Sequence, residues 1–207
     1  MTMVRLRQPA RFYPIVPDAA WLERIVPLGV ATVQLRLKDA APEEVRRQIA
    51  RSLEVCRAHG VQLIVNDYWP EALAGGADYI HLGQEDLAEA DLAAIKAAGV
   101  RIGISTHDER ELEIALAAEP DYIALGPIYE TKLKAMKWKP QGLARITQWK
   151  QRIGNIPLVA IAGLTPERAP GVLAAGAQSL AVITDFLTHP LPEERIKEWL
   201  TWAKMAT

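Results

Sequence analysis

Eight short apolar runs recur along the chain: FYPIV at 12–16, VATVQLR at 30–36, VQLIVN at 61–66, DYIHL at 78–82, VRIGIS at 100–105, DYIALG at 121–126, PLVAIA at 157–162 and SLAVIT at 179–184. Each has the length of a β-strand and is nearly continuous in apolar character, the pattern of strands covered on both faces. The segments between them have helical period. Pro42 opens the helical run EEVRRQIARSLEVCRAH, Thr106 and Glu109 have capping-box spacing, and Thr165-Pro166 reads as an N-cap followed by proline at N1. Gly29, Gly60, Gly99 and Gly176 fall just past helical patterns, where a left-handed C-cap residue belongs.

Strands that alternate with helices pair in parallel, and eight such units predict a (β/α)8 TIM barrel. The expectation is one barrel domain over 1–207, with 1–11 as an N-terminal extension. A doubly wound open sheet is the alternative, although no GxGxxG follows the first strand. The longest irregular connection, PIYETKLKAMKWKPQG at 127–142, is long enough to be functional.

Composition narrows the function. The chain has 207 residues, half of them hydrophobic, and a net charge of -1 with interspersed signs, so neither nucleic acid nor a membrane surface is the expected partner. The start has basic residues but no signal-peptide core, and no run approaches the ~18 apolar residues of a membrane span, so a cytoplasmic location is expected. The single cysteine, Cys56, continues the apolar stripe Val45, Ile49, Leu53 and reads as core packing. Trp138, Trp149, Trp199 and Trp202 fit either core or interface, and self-association into a homo-oligomer stays open.

In such a barrel the C-terminal ends of the strands carry the chemistry. Those positions here are Arg36 and Lys38, Asn66 and Asp67, His81 with Gln84 and Asp86 beyond it, Ser105, Gly126, Gly163, and Thr184 with Asp185. Singly, each has an ordinary explanation as a turn, a helix cap or a satisfied core histidine. Their coincidence on one rim is less easily dismissed. In TVQLRLKD at 32–39, Val33, Leu35 and Leu37 fall on one strand face and Gln34, Arg36 and Lys38 on the other. Arg36, Lys38 and Lys134 suit phosphate oxygens, while Asp67 and Asp86 are hard oxygen donors of the number Mg²⁺ takes from protein when phosphates and water complete its shell. Cations beside such a pair imply a diphosphate. AGLT and ITD, after strands seven and eight, fall where barrels bind a monophosphate. Two small phosphorylated ligands are therefore expected, with loss of diphosphate as the chemistry.

These motifs carry a resemblance. QLRLK at 34–38, VNDYW at 65–69, HLGQEDL at 81–87, GISTHDE at 103–109, DYIALGPIYETKLK at 121–134, PQGL at 140–143 and VAIAGLTPERAP at 159–170 together closely resemble the thiamine-phosphate synthase family, from about residue 12 to 186. The resemblance implies a (β/α)8 transferase that joins 4-amino-2-methyl-5-(diphosphomethyl)pyrimidine to 4-methyl-5-(2-phosphoethyl)thiazole, releasing pyrophosphate with Mg²⁺ as cofactor. It assigns residues 34–38 (Gln34, Leu35, Arg36, Leu37, Lys38) with Asn66, Ser105 and Lys134 to the pyrimidine diphosphate, and makes Arg36, Lys38, Ser105 and Lys134 the catalytic set. It assigns Asp67 and Asp86 to the metal, and Thr131, Lys132, Leu133, Gly163, Ile183 and Thr184 to the thiazole phosphate. The sequence departs from the family at Leu133, where a hydroxyl is usual, at Ala162, where the first of two glycines is usual, and at Thr184, where serine is usual. Three alternatives stay open: a thiazole-phosphate tautomerase of the same superfamily, a sugar-phosphate isomerase or epimerase using Asp67 and His81 as acid and base, and a non-catalytic sensor of thiamine intermediates.

Overall fold

A computed structural model describes residues 6, 8–131 and 138–205. Its strands are β1 (Phe12–Val16), β2 (Thr32–Leu35), β3 (Gln62–Asn66), β4 (Tyr79–Leu82), β5 (Arg101–Thr106), β6 (Tyr122–Leu125), β7 (Leu158–Ile161) and β8 (Ser179–Val182). They close into a barrel in sequence order, every neighbouring pair parallel. The helices are α1 (Ala19–Ile25), α2 (Pro42–His59), α3 (Trp69–Gly75), α4 (Gln84–Glu89), α5 (Leu92–Ala97), α6 (Glu109–Ala117), α7 (Gly142–Ile153), α8 (Ala169–Ala174), α9 (Thr184–Leu187) and α10 (Pro192–Met205). The chain is a (β/α)8 TIM barrel.

Alternation along each strand sorts the core into two layers. Val33, Leu35, Leu63, Val65, Ile80 and Ile102 belong to the outer layer between strands and helices. Tyr13, Ile15, Ile64, Tyr79, Tyr122, Ala124, Val159 and Ala181 fill the barrel itself. The apolar stripe of α2 packs into the outer layer through Val45, Ile49, Leu53 and Cys56. Glu43 and Glu44 at the start of α2, with Arg57 and His59 at its end, complement the helix dipole. Gly60 closes it at φ 68°, and Gly29, Gly99 and Gly176 likewise adopt positive φ.

Two expected helix starts are corrected. Thr106 caps nothing: it is the last residue of β5, fully buried, with its hydroxyl donating to the Ala124 carbonyl and accepting from Trp149 Nε1. The cap of α6 is Asp108, which accepts from the Glu111 amide, while Glu111 accepts in turn from the His107 amide. The helix after strand seven begins at Ala169 rather than Pro166, because the Thr165 carbonyl first closes a turn onto the Arg168 and Ala169 amides.

Two tryptophans resolve into the core around α7 and α10, and a third packs against it from outside. Trp149 and Trp199 are fully buried, the latter stacked on Phe12, and Trp202 packs edge-on against Trp199.

Candidate active site

The alternation of β2 continues past its last residue. Leu35 is wholly buried in the outer layer, so its side chain faces away from the barrel mouth, and Leu37 follows it to the recess edge. Gln34, Arg36 and Lys38 instead line a cavity of about 510 Å³ at the C-terminal end of the barrel, together with Asn66, His81, Ser105, Thr131, Gly163, Ile183 and Thr184. Its floor is Tyr13, Ile15, Tyr122, Ala124, Val159 and Ala181, the same residues that fill the barrel. A second recess of about 380 Å³ adjoins it, bordered by Asp67, Asp86, Trp69 and Glu71. Arg36 and Lys38 border both spaces. The fold thus places two cations between an apolar-floored pocket and an acidic one.

Asp67 and Asp86 face each other closely enough to share a hydrogen bond. Burial, then the neighbouring Asp86 charge, push the Asp67 carboxyl up to about 6, against partial relief from the Gly83 amide and the Arg36 charge. Asp67 holds a left-handed backbone at φ 66°, and Asn66 Nδ2 donates to its Oδ2. Gly83 leaves room for the pair, since a Cβ there would lie 3.3 Å from Asp86 Oδ2. Neither aspartate serves as a side-chain N-cap for α3 or α4. Two mutually repelling carboxylates fit a hard divalent cation, which would supply the charge they lack. Among the described residues no group of three or more His, Cys, Asp or Glu side chains is assembled, so phosphate oxygens and water would have to complete its shell.

The opposite wall is built from backbone turns. Ala162 and Gly163 both have positive φ, 80° and 67°, and a Cβ on Gly163 would stand 2.6 Å from the Glu130 carbonyl oxygen. The Ala162 carbonyl accepts from the Tyr129 amide, which ties the loop after β6 to the loop after β7. Ile183 and Thr184 complete this side at the start of α9. Lys132, Leu133 and Lys134 lie outside the described residues.

Three polar residues of the cavity escape a reading of strand ends: Tyr13, Tyr122 and His107. His107 stacks on Trp138 at 3.9 Å between ring centroids and is held by Glu111. Asp185 is engaged by Arg195 and by Trp199 Nε1, which offsets its charge on the Ile183–Thr184 side of the cavity. Tyr13 is the second residue of β1 and Tyr122 the first of β6, far from the strand ends that form the rim, and only the period-2 parity with Ile15 and Ala124 marks them as inward-facing. His81 is buried at the cavity wall, and burial, followed by the charges of Arg36 and His107, pushes its imidazole down to about 3. A group held neutral in this way is a poor general acid at neutral pH, which removes the support for an Asp67/His81 acid–base pair.

Comparison with known proteins adds to this geometry. The family model described as thiamine monophosphate synthase matches residues 12–186. A thiamine-phosphate synthase of Rhizobium etli is 57% identical over 189 residues, covering 91% of this chain and 93% of that one. One from Neisseria meningitidis serogroup A is 45% identical over 197 residues, covering 95% and 96%. The solved thiamine phosphate pyrophosphorylase of Pyrococcus furiosus superposes with a TM-score of 0.85 at 24% identity, over 98% of this chain and 99% of that one, and supports the fold. Because the match spans all eight strands and both walls of the cavity, the chain belongs to the thiamine monophosphate synthase family of transferases.

Proposed function

We propose that the protein condenses 4-amino-2-methyl-5-(diphosphomethyl)pyrimidine with 4-methyl-5-(2-phosphoethyl)thiazole, giving thiamine phosphate and pyrophosphate. The observation that carries this reading is the position of Arg36 and Lys38 at the junction of the apolar-floored cavity and the acidic recess. A pyrimidine in the first space, with its diphosphate reaching toward the second, satisfies both. The tautomerase alternative would leave this junction without a purpose.

The chemistry is a dissociative substitution, in which diphosphate departs before the thiazole attacks. The bond between the pyrimidine methylene carbon and the diphosphate oxygen breaks, its electron pair leaves with diphosphate, and the thiazole nitrogen lone pair forms the new carbon–nitrogen bond. No proton transfer is required, so the protein's contribution is positioning and electrostatic stabilisation. Arg36 offers a fork of donors to phosphate oxygens and Lys38 a point charge. Asp67 and Asp86 would hold Mg²⁺, whose contribution when bound is to neutralise charge on the departing diphosphate. The apolar floor limits access of water to an electron-poor methylene carbon. Gly163 and the hydroxyls of Thr131 and Thr184 are suited to the thiazole phosphate, and Lys134 and Ser105 to the diphosphate half.

The test is to mix purified protein with Mg²⁺ and both substrates, omit each component in turn, and follow thiamine phosphate and pyrophosphate by mass spectrometry. Equal amounts of both products, dependent on all three additions, are expected. Binding of both substrates without product would sink the proposal and favour a sensor.

A further inference from the structure

The proposed contacts leave a set of buried polar atoms beneath the cavity without a task. Gln34 Nε2 donates to the Tyr13 hydroxyl at 2.7 Å, and the Tyr13 and Tyr122 hydroxyls lie 3.1 Å apart. Tyr122 then meets His81 Nδ1 at 2.8 Å, and His81 Nε2 meets Ser105 Oγ at 2.8 Å. The chain of bonds crosses the barrel from β2 to β5 and joins two residues of the candidate pyrimidine site.

Its direction follows from the Gln34 end. An amide N–H only donates, so the Tyr13 oxygen accepts and its own proton is left for Tyr122; any other order strands a buried phenolic proton. Tyr122 passes its proton toward His81 Nδ1. A neutral imidazole that accepts at Nδ1 carries its proton on Nε2, and that proton goes to Ser105 Oγ. Ser105 is thereby left with its hydroxyl proton to give to a ligand, while Gln34 is left with its carbonyl oxygen. Gln84 Nε2 also holds the Ser105 carbonyl at 2.7 Å, which fixes the backbone behind the hydroxyl. Gly103 admits the Tyr122 ring: a Cβ at that position would lie 2.1 Å from Tyr122 Cζ.

We infer that Tyr13, Tyr122 and His81 are positioning residues that lock Gln34 as a hydrogen-bond acceptor and Ser105 as a donor toward the pyrimidine substrate. The two ends are linked, because reversing one reverses the whole chain. The pair therefore selects an aromatic edge that presents a donor to Gln34 and an acceptor to Ser105, as an exocyclic amine beside a ring nitrogen does. This rests on the proposal that the cavity holds the pyrimidine diphosphate.

The test combines a measurement without substrate and one with it. Imidazole ¹⁵N spectra of the ligand-free protein at neutral pH are expected to show His81 as the Nε2–H tautomer, moving toward a mixture in Tyr122→Phe. In the same variant, kcat/KM for the pyrimidine diphosphate is expected to fall about tenfold or more, the effect of unpairing one buried hydrogen bond. Binding of inorganic pyrophosphate, held by Arg36 and Lys38, should not change. An Nδ1–H tautomer in the wild-type protein, unaltered spectra and kinetics in the variant, or equal loss of pyrophosphate binding would each overturn the inference. Should Tyr122→Phe not fold, Tyr13→Phe carries the same test with the same expected directions. Wild-type protein that forms no thiamine phosphate, yet whose His81 tautomer shifts in the variant, supports the relay and sinks only the function proposed above.

Discussion

Ala162 pays a backbone cost that its neighbour avoids. At φ 80° a residue with a Cβ loses about 1–2 kcal/mol relative to glycine. Gly163, at φ 67°, also has no room for a methyl beside the Glu130 carbonyl, so only the first position tolerates alanine. Ala162→Gly is expected to stabilise the fold by about 1 kcal/mol, less the added chain entropy of glycine, and to raise Tm by about 2–4 °C. A lower Tm in thermal unfolding would show that the methyl contributes packing that outweighs the strain. Arg36 presents the opposite case, a side chain whose value, on the proposed function, lies in holding the diphosphate. Arg36→Ala is expected to reduce turnover by at least about a hundredfold, the scale of one removed electrostatic donor, with an unchanged far-ultraviolet circular dichroism spectrum. Arg36→Lys should recover only part of the rate, since a point charge cannot reproduce the guanidinium fork. Near-normal turnover in Arg36→Ala would remove the cation junction from the mechanism.

Among the elements, β5 and its neighbours show where sequence pattern suffices and where it misleads. The eight strands were legible because parallel strands buried on both faces read as apolar runs with glycine or proline nearby. The polar face of β2 was legible because period-2 alternation survives past the last ladder bond. Thr106 misled: its spacing to Glu109 imitates a capping box, but the hydroxyl is committed to Ala124 and Trp149, partners 18 and 43 residues away. Local spacing cannot reveal long-range partners, and the Tyr13–Tyr122–His81 chain was illegible for the same reason. Thr106 therefore acts as a latch joining β5, β6 and α7. Thr106→Val, which keeps the shape and unpairs the buried Trp149 N–H, is expected to destabilise the protein by about 1–3 kcal/mol. Activity per folded molecule should persist, since Thr106 does not line the cavity. Denaturant unfolding alongside turnover separates the two, and an unchanged midpoint would deny the latch.

For the whole molecule, closure of the barrel buries an imidazole in the wall of its mouth and ties stability to pH. His81 is pushed down to about 3 in the folded protein, whereas an unfolded chain titrates histidine near 6.5. Between these values the unfolded state binds more protons, so the histidine's contribution is complete above about pH 6.5 and is lost as pH falls toward 3. Asp67 acts in the opposite sense, because its raised pKa makes the folded state hold the extra proton between about pH 4 and 6. The total pH profile therefore mixes the two, and a single variant is needed to isolate the histidine. His81→Gln suits this purpose, because its amide can accept from Tyr122 and donate to Ser105 without titrating. One proton changes stability by at most about 1.4 kcal/mol per pH unit, so from pH 7 to pH 4 the wild-type protein should lose about 3 kcal/mol relative to the variant. Paired denaturant titrations across that range measure the difference, in which Asp67 and the other carboxylates cancel to the extent that they are common to both proteins. Parallel curves would mean that folded His81 titrates near its unfolded value, so that the enclosure by the barrel does not hold the imidazole neutral as the Nδ1 bond from Tyr122 requires.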